Sequence, residues 1–448
     1  MTSQPVATIF ALASATGRAG VAVVRVSGPG AHRVVDFMAR PRGEARRAVG
    51  RFIRHPETGE KLDRGVAIWF PAPKSFTGED VVELHLHGGR AVVQAVLDAL
   101  TVLPGLRLAE PGEFARRAFE AGKIDLAEVE GLADLVDAET EGQRRQALAQ
   151  ASGALSGLYE SWRASVIDAL AYVEAALDFS DEADIGQTTF ANARSIIEVL
   201  VPAVTHHLDD GHRGEILREG FRVALTGPPN AGKSSLLNVL ARREAAIVSE
   251  QAGTTRDVIE VRLDLKGLPV IVSDTAGFRE AEGAVEREGM RRSLAAAQAA
   301  DLVIWLTDAM HPQTGMPDEL VAMADRTLLV LNKVDLLPDG APPPLPDDMV
   351  PLSVKTGAGV PELVARLQVI ASERIGHPGE AVITQVRHRR LIEACRDSLA
   401  AFLEGASDEV ELRAEDLRRA ADALGRVSGR VDVEDVLDQI FGRFCIGK

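Results

Sequence analysis

Residues 221–238 carry the feature that most restricts how this chain folds. Phe221-Arg222-Val223-Ala224-Leu225-Thr226 is a short, mostly apolar run that passes directly into Gly227-Pro228-Pro229-Asn230-Ala231-Gly232-Lys233-Ser234, a fit to G-x-x-x-x-G-K-[ST]. An apolar run bounded by glycine reads as a buried strand. Gly227 and Gly232 permit a tight loop whose backbone N–H groups point inward at an anion, and a helix opening near Lys233 adds its positive N-terminal end. The unit predicted is therefore strand, phosphate-binding loop, helix.

Two further motifs follow in fixed order. Leu268-Pro269-Val270-Ile271-Val272-Ser273 is a second buried-strand pattern and ends at Asp274-Thr275-Ala276-Gly277; Thr327-Leu328-Leu329-Val330-Leu331 is a third and ends at Asn332-Lys333-Val334-Asp335. Ser353-Val354-Lys355 follows the apolar Met349-Val350-Pro351-Leu352. In open α/β sheets ligands bind at the carboxyl ends of strands, where these motifs stand. Their chemistry is complementary. Lys233 suits the β- and γ-phosphates, and the Ser234 hydroxyl and Asp274 suit magnesium. The Gly277 amide suits the γ-phosphate, and the Asp335 carboxylate can accept two hydrogen bonds from guanine that adenine does not offer. The expected GTP site thus contains Asn230, Ala231, Gly232, Lys233, Ser234 and Ser235, then Asp274, Thr275, Ala276 and Gly277. Asn332, Lys333, Asp335, Ser353, Val354 and Lys355 complete its base side. Asn332 and Asp335 oppose an ATPase.

Ras-type proteins place a glutamine after Asp-x-x-Gly to orient the attacking water. This chain has Phe278 there, which cannot hydrogen-bond water. Glu280, Glu282, Glu286 and Glu288 are nearby carboxylates, and Arg256, Arg279 and Arg287 nearby cations.

With 448 residues, two or three domains are expected. Aromatic residues make up only 4% of the chain, so its cores must be built from Leu, Val, Ile and Ala. A net charge of −16 excludes a broadly basic nucleic-acid binder, and any RNA contact must use a local patch or a partner's surface. With only Cys395 and Cys445 there is no disulfide framework, which points to a reducing cytoplasm. No secretory signal or apolar run of membrane-spanning length is expected. Cys445-Ile446-Gly447-Lys448 is not a prenylation box, because Gly447 is not aliphatic and Lys448 is an atypical last residue. Cys445 reads equally as a reactive thiol or a packed side chain.

Residues 1 to about 120 read as mixed α/β, with strands at Val21–Val26 and Val81–His87 and a helix over Ala91–Leu103. From Lys123 the spacing of Leu126, Val129, Leu132 and Val136 is helical, and it continues through Leu155–Leu177. Strands and helices alternate from Phe221 to about Ile370, with a loop over Pro338–Pro351. After His377-Pro378 the helical pattern returns: Leu391, Cys395, Leu399 and Phe402 mark one face, and Leu412, Leu417 and Leu424 mark others. The two helical flanks are expected to pack against each other, leaving the α/β segment as an insertion.

Gly232-Lys233-Ser234-Ser235-Leu236-Leu237-Asn238, Ala245–Ser249 and Ala252-Gly253-Thr254-Thr255-Arg256-Asp257 resemble the TrmE-Era-Era-like translation GTPases. Ser75-Phe76-Thr77-Gly78-Glu79-Asp80, Glu83–Gly89, Pro111-Gly112-Glu113-Phe114 and the terminal Phe444–Lys448 narrow the resemblance to the tRNA-modification GTPases of that family. It covers the chain from near residue 7 onward. It implies a multidomain α/β plus all-α fold: an N-terminal folate-binding and dimerisation domain (1–120), a discontinuous helical domain (121–217 and 374–448) and an inserted Ras-like GTPase domain (218–373). It also implies a cytoplasmic homodimer that works with the flavoprotein MnmG on the 5-position of tRNA wobble uridine. The product is of carboxymethylaminomethyl type, and the one-carbon unit comes from 5-formyl- or 5,10-methylene-tetrahydrofolate. A ribosome-assembly switch is the rival reading; it predicts an RNA-binding module with a G-x-x-G loop, which is not evident beside the GTPase segment.

By the same resemblance, potassium beside the phosphates takes the place of an arginine finger and pairs two GTPase domains. Its ligands map onto Asn230, Ser249, Gln251 and Thr254, with Thr255 joining Ser234 on magnesium. The loop Ser249-Glu250-Gln251-Ala252-Gly253-Thr254-Thr255 then belongs to the GTP site, and Glu286 positions the water. Pro228, Phe278 and Ser249 depart from the residue types expected there. Folate contacts map onto Arg25, Glu83 and Lys123, with Lys448 nearby. A carboxylate such as Glu83 suits a pterin edge, and a cation suits the glutamate tail. Glu83, His85 and His87 alternate onto one strand face; a ligand-lining face and a metal site are both open readings.

Overall fold

The computed structural model describes residues 7–178, 183–210, 212–243, 245–247, 260–274, 294–311, 316–338, 346, 349–376, 381–406, 409–431, 434–442, 444 and 446–447. It divides into two compact units, Met1–Ala133 with Gly425–Lys448, and Asp134–Leu424.

The first unit is built on a six-stranded sheet of β1 (Thr8–Leu12), β2 (Ala19–Ser27), β3 (Val49–Arg54), β4 (Lys61–Phe70), β5 (Val81–Gly88) and β6 (Leu106–Leu108). The order is β3-β4-β5-β2-β1-β6, antiparallel except where β6 runs parallel to β1. β2 and β5 are the two strands expected from the sequence, and the expected helix runs Arg90–Thr101. β3 and β4 lie where no strand is predicted, because Arg51, Arg54, Lys61 and Arg64 interrupt the apolar pattern. Side chains alternate across the sheet. Val24, Val26, Val82, Leu84 and Leu86 join Val34, Met38, Val96 and Leu100 of the helices Ala31–Met38 and Arg90–Thr101 in one core. The alternate residues face away, and there Arg25 stands directly opposite Glu83 in register. A second core joins Ala115, Leu126 and Val129 to Leu437, Ile440, Phe441 and Phe444, so the end of the chain packs in this unit. Ile446 forms a β-bridge with Pro111. A Cβ on Gly447 would lie 2.1 Å from the Leu12 carbonyl, so that backbone approach requires glycine.

The second unit holds another six-stranded sheet: β7 (Phe221–Thr226), β8 (Glu260–Leu265), β9 (Leu268–Asp274), β10 (Leu302–Asp308), β11 (Thr327–Asn332) and β12 (Val350–Pro351). The order is β12-β11-β10-β7-β9-β8, all parallel save the β8–β9 hairpin. Leu225, Val272, Ile304 and Val330 pack with Leu236, Leu240, Leu363 and Leu367 of the helices Lys233–Ala241 and Val360–Ile375. The expected loop over Pro338–Pro351 ends in the short strand β12, which adds to the sheet beside β11.

The helical layer contains Glu141–Ala151, Ala154–Asp178, Ala183–Leu208, Arg213–Glu219, Val386–Glu404 and Val410–Ser428. The two sequence-distant flanks meet as expected. The Phe190 and Phe402 rings lie 5.6 Å apart, and Arg389 pairs with Asp210 at 2.8 Å and Glu215 at 3.0 Å. Cys395, Leu399 and Phe402 are buried, and burial pushes the Cys395 thiol up to about 12. Leu417 and Leu424 are buried too, but Leu412 is 54% exposed and marks no packed face. At the junction with the sheet, the Gly142 N–H donates to the Gly267 carbonyl at 2.8 Å, and a Cβ on Gly142 would lie 2.5 Å from that oxygen.

Tyr159 and Trp162 enclose His207, whose Nε2 lies 3.0 Å from the Tyr159 hydroxyl. Burial holds the His207 imidazole at about 4, below its ordinary value. The unfolded chain therefore binds this proton more readily. The contribution of neutral His207 is complete above about pH 6.5 and is lost as pH falls toward 4. We expect urea unfolding to show about 3 kcal/mol lost across that window from this residue. His207→Gln should flatten the profile between pH 6.5 and 5; equal slopes in both proteins would remove His207 as the cause.

Candidate nucleotide site

β11, β10, β7 and β9 are parallel neighbours, so their carboxyl ends form one rim. β7 runs into the loop 227–232. Gly227 (φ 142°) passes so close to β10 that a Cβ would lie 2.2 Å from the Leu306 carbonyl, and Asn230 adopts φ 62°. The Lys233 ammonium folds back onto the Gly227 and Pro228 carbonyls at 2.9 Å each. Burial lowers its pKa, against the pull of Asp274. The Ser234 hydroxyl donates to Asp274 at 2.7 Å, and that carboxylate is 1% exposed at the end of β9. A hydroxyl and a carboxylate converging beside the loop 227–232 match the hard-oxygen preference of magnesium.

Asn332 ends β11 and is 2% exposed. Its amide nitrogen donates to the Ala231 carbonyl at 2.7 Å, and its amide oxygen accepts from the Val354 N–H at 3.1 Å. A Cβ on Gly232 (φ 101°) would lie 2.3 Å from that amide nitrogen. The Ser353 hydroxyl donates to Asp335 at 2.6 Å and accepts from the Thr356 N–H at 3.2 Å. Sequence reasoning missed Asp308, which ends β10 and pairs with Lys333 at 2.7 Å. Burial alone would raise its carboxyl, but Lys333 and the Met310 N–H outweigh that and hold it low. The apolar run Leu302–Thr307 closing on an acid was the signal available. Lys233, Ser234, Asp274, Asn332, Lys333, Asp335, Ser353 and Val354 thus meet at one rim. Ser249–Thr255, Thr275–Gly277, Phe278 and Glu286 lie outside the described residues.

In the other unit, the sheet face opposite the main core gathers a second set beside a small cluster of Ile9, Ala11, Ala109 and Phe114. Arg25 bonds Glu83 at 3.0 and 3.1 Å, and His85 approaches the other Glu83 oxygen at 3.4 Å. The Arg25 guanidinium lies 5.5 Å from the Phe76 ring and 5.8 Å from that of Phe114. His87 is drawn to Asp63 at 2.7 Å instead of joining His85. A Cβ on Gly78 would lie 3.2 Å from the Lys123 side chain, which places Lys123 beside the loop carrying Phe76. The sequence reading missed Arg117, which ties that loop down through Glu79 at 3.1 Å and also holds Glu113 at 2.9 Å. Lys448 and Cys445 lie outside the described residues.

The motif set on an open parallel sheet defines a P-loop GTPase. Comparison with known proteins takes this further. A family model described as the MnmE helical domain matches residues 126–445, and one described as the GTP-binding protein TrmE N-terminus matches residues 8–123. The tRNA modification GTPase MnmE of Parvibaculum lavamentivorans is 56% identical over 98% of this chain and 100% of its own length. That of Rhodospirillum rubrum is 51% identical over 98% of this chain and 99% of its own. A solved structure of Aquifex aeolicus Era is 22% identical over 40% of this chain and 66% of that one, with a TM-score of 0.28. The chain belongs to the MnmE family of tRNA modification GTPases, and it is a GTP hydrolase. Among the described residues, no helix is long and apolar enough to cross a membrane.

Asp335→Asn should weaken GTP binding by about 1.5–3 kcal/mol, the worth of a charge-assisted pair, and should favour XTP, whose carbonyl matches the new amide. Equal GTP affinity in variant and parent, measured by calorimetry, would reject Asp335 as the guanine reader.

Proposed function

We propose that this GTP hydrolase modifies the 5-position of wobble uridine in tRNA together with a flavoprotein, MnmG. The product is of carboxymethylaminomethyl type, and 5-formyl- or 5,10-methylene-tetrahydrofolate supplies the one-carbon unit. The observation that carries the reading is the Arg25–Glu83 pair, with the Arg25 guanidinium against Phe76 and the buried Phe114, in a unit separate from the GTP rim. A carboxylate beside a cation, with the Phe76 ring against that cation, suits a flat heterocycle with paired donors. Glu83 would take the pterin edge, Arg25 and Lys123 the anionic tail, with Lys448 nearby. Bounds of 1–120, 121–217, 218–373 and 374–448, homodimerisation through the first domain and a cytoplasmic location belong to the same proposal.

In the GTP site, Lys233 would exchange its two loop carbonyls for phosphate oxygens, and Ser234, Asp274 and Thr255 would hold magnesium. The bound cation supplies charge neutralisation between the phosphates. Asn230 would hold potassium with Ser249, Gln251 and Thr254, and Glu286 would orient the water, as Phe278 cannot. Asn230 is exposed in the phosphate loop, which supports its part, since its side chain is free to take a ligand. Asn332, Lys333, Asp335 and the Ser353–Lys355 loop would form the base pocket.

The overall reading is tested by mass spectrometry of wobble nucleosides from cells lacking this protein; unchanged nucleosides would overturn it. Arg25→Ala and Glu83→Ala should each weaken folate binding and leave GTP affinity unaltered, since the two sets lie in different units. Undiminished folate binding in both variants would sink the assigned site. Phosphate release should be faster in potassium than in sodium. Glu286→Ala should bind GTP normally and hydrolyse it far more slowly, and Asn230→Ala should lose the potassium stimulation. Identical rates in both salts, or a parental rate for Glu286→Ala, would turn attention to Arg256 or Arg279.

A further inference from the structure

We infer that the β3 edge of the N-terminal sheet is a contact for single-stranded RNA, an unpaired segment of the tRNA on which the reading above rests. Residues 40–64 carry 8 Lys and Arg against 4 Asp and Glu, in a chain whose net charge is −16. That local reversal of sign is what a polyanion requires. The acidic remainder is screened beyond a Debye length of about 8 Å at physiological salt.

The geometry adds a stacking element. β3 is the outermost strand of its sheet, and Phe52 projects from it 42% exposed. Phe52 and Arg64 are register partners and so share one sheet face. The Lys61 ammonium lies 4.6 Å from the Phe52 ring centre, the Arg64 guanidinium 5.6 Å and that of Arg54 5.7 Å. Farther along the same face, Arg46 lies 5.8 Å from the Phe70 ring. Among the described residues these four cations form no ion pair; Arg54 donates to the Gly59 carbonyl at 3.1 Å, and Arg46 to that of Lys74.

An exposed ring ringed by unneutralised cations matches an unstacked nucleotide, whose base covers the ring while its phosphates meet the guanidinium groups. A duplex keeps its bases inside the helix and has no use for Phe52. A peptide added to the strand edge would use the backbone and leave the cations without partners.

The test is fluorescence-anisotropy titration of the full chain with an unmodified tRNA transcript and with duplex RNA, over a range of salt. Phe52→Ala should weaken tRNA binding about tenfold, a typical loss for one stacked base, and Phe52→Trp should restore it. Arg54→Gln with Arg64→Gln should reduce the salt slope by about 1.4, the counterion release of two contacts to a single strand. Arg419→Gln, exposed on the helix Val410–Ser428, serves as the control and should change neither quantity. GTP hydrolysis should be unchanged in all these variants, which shows that they fold. If the parent binds tRNA and the Phe52 and arginine variants stay within about twofold of it, the surface is wrong while the tRNA reading stands. If the parent does not bind tRNA, both fall. Equal affinity of the parent for duplex RNA would remove the stacking role. Loss of dimer by light scattering with RNA binding retained would assign the edge to contacts between copies and overturn the proposal.

Discussion

The nucleotide rim depends on one buried amide. Asn332 is 2% exposed and spends both ends of its side chain on backbone, the nitrogen on the Ala231 carbonyl and the oxygen on the Val354 N–H. Loops that the chain reaches 101 and 22 residues away from Asn332 are thereby held in one arrangement. An aspartate could accept from Val354 but not donate to Ala231, and an aliphatic residue would leave two backbone groups unpaired in the interior. Gly232 follows from the same constraint, since the space its Cβ would take is filled by the Asn332 amide. The phosphate loop and the base-side loop are thus one construction, and Lys233 and Asp335 inherit their positions from it.

Much of the second unit could be read from the chain before folding. β7, β9 and β11 are apolar runs that end in a motif, and burial on both faces of a parallel sheet leaves such runs uninterrupted. The pairing of the two helical flanks followed from stripes that neither could bury alone. The first unit was harder. β3 and β4 carry so many cations that period-2 alternation is hidden, because long basic side chains can lie over Phe52 and Trp69 and still reach water. Arg117 escaped notice for a related reason: sequence patterns assign charge to the surface, yet its side chain is 10% exposed between Glu79 and Glu113. Asp308 was passed over although an apolar run closes on it, because its role needs a partner, Lys333, from the next strand's end.

The two candidate sites differ in how they are held. The GTP rim is fixed chiefly by close backbone approaches at glycines and by one amide, with the Lys333–Asp308 ion pair beside them. The Arg25–Glu83 face is fixed by ions: Arg25 on Glu83, and Arg117 on Glu79 beneath the loop that carries Phe76. Ionic supports soften as salt rises, whereas steric ones do not.

The Gly142–Gly267 contact gives the β8–β9 hairpin a particular mechanical character. Two peptide groups touch there with no side chain between them. Side chains act as springs, since they change rotamer and absorb small displacements; a peptide-to-peptide seat has no such give. The hairpin turn and the start of helix Glu141–Ala151 must move as one piece or part altogether. The joint is thus a stiff coupling that transmits displacement undiminished, and a one-residue change in the length of the turn would be felt in the helix as a whole step.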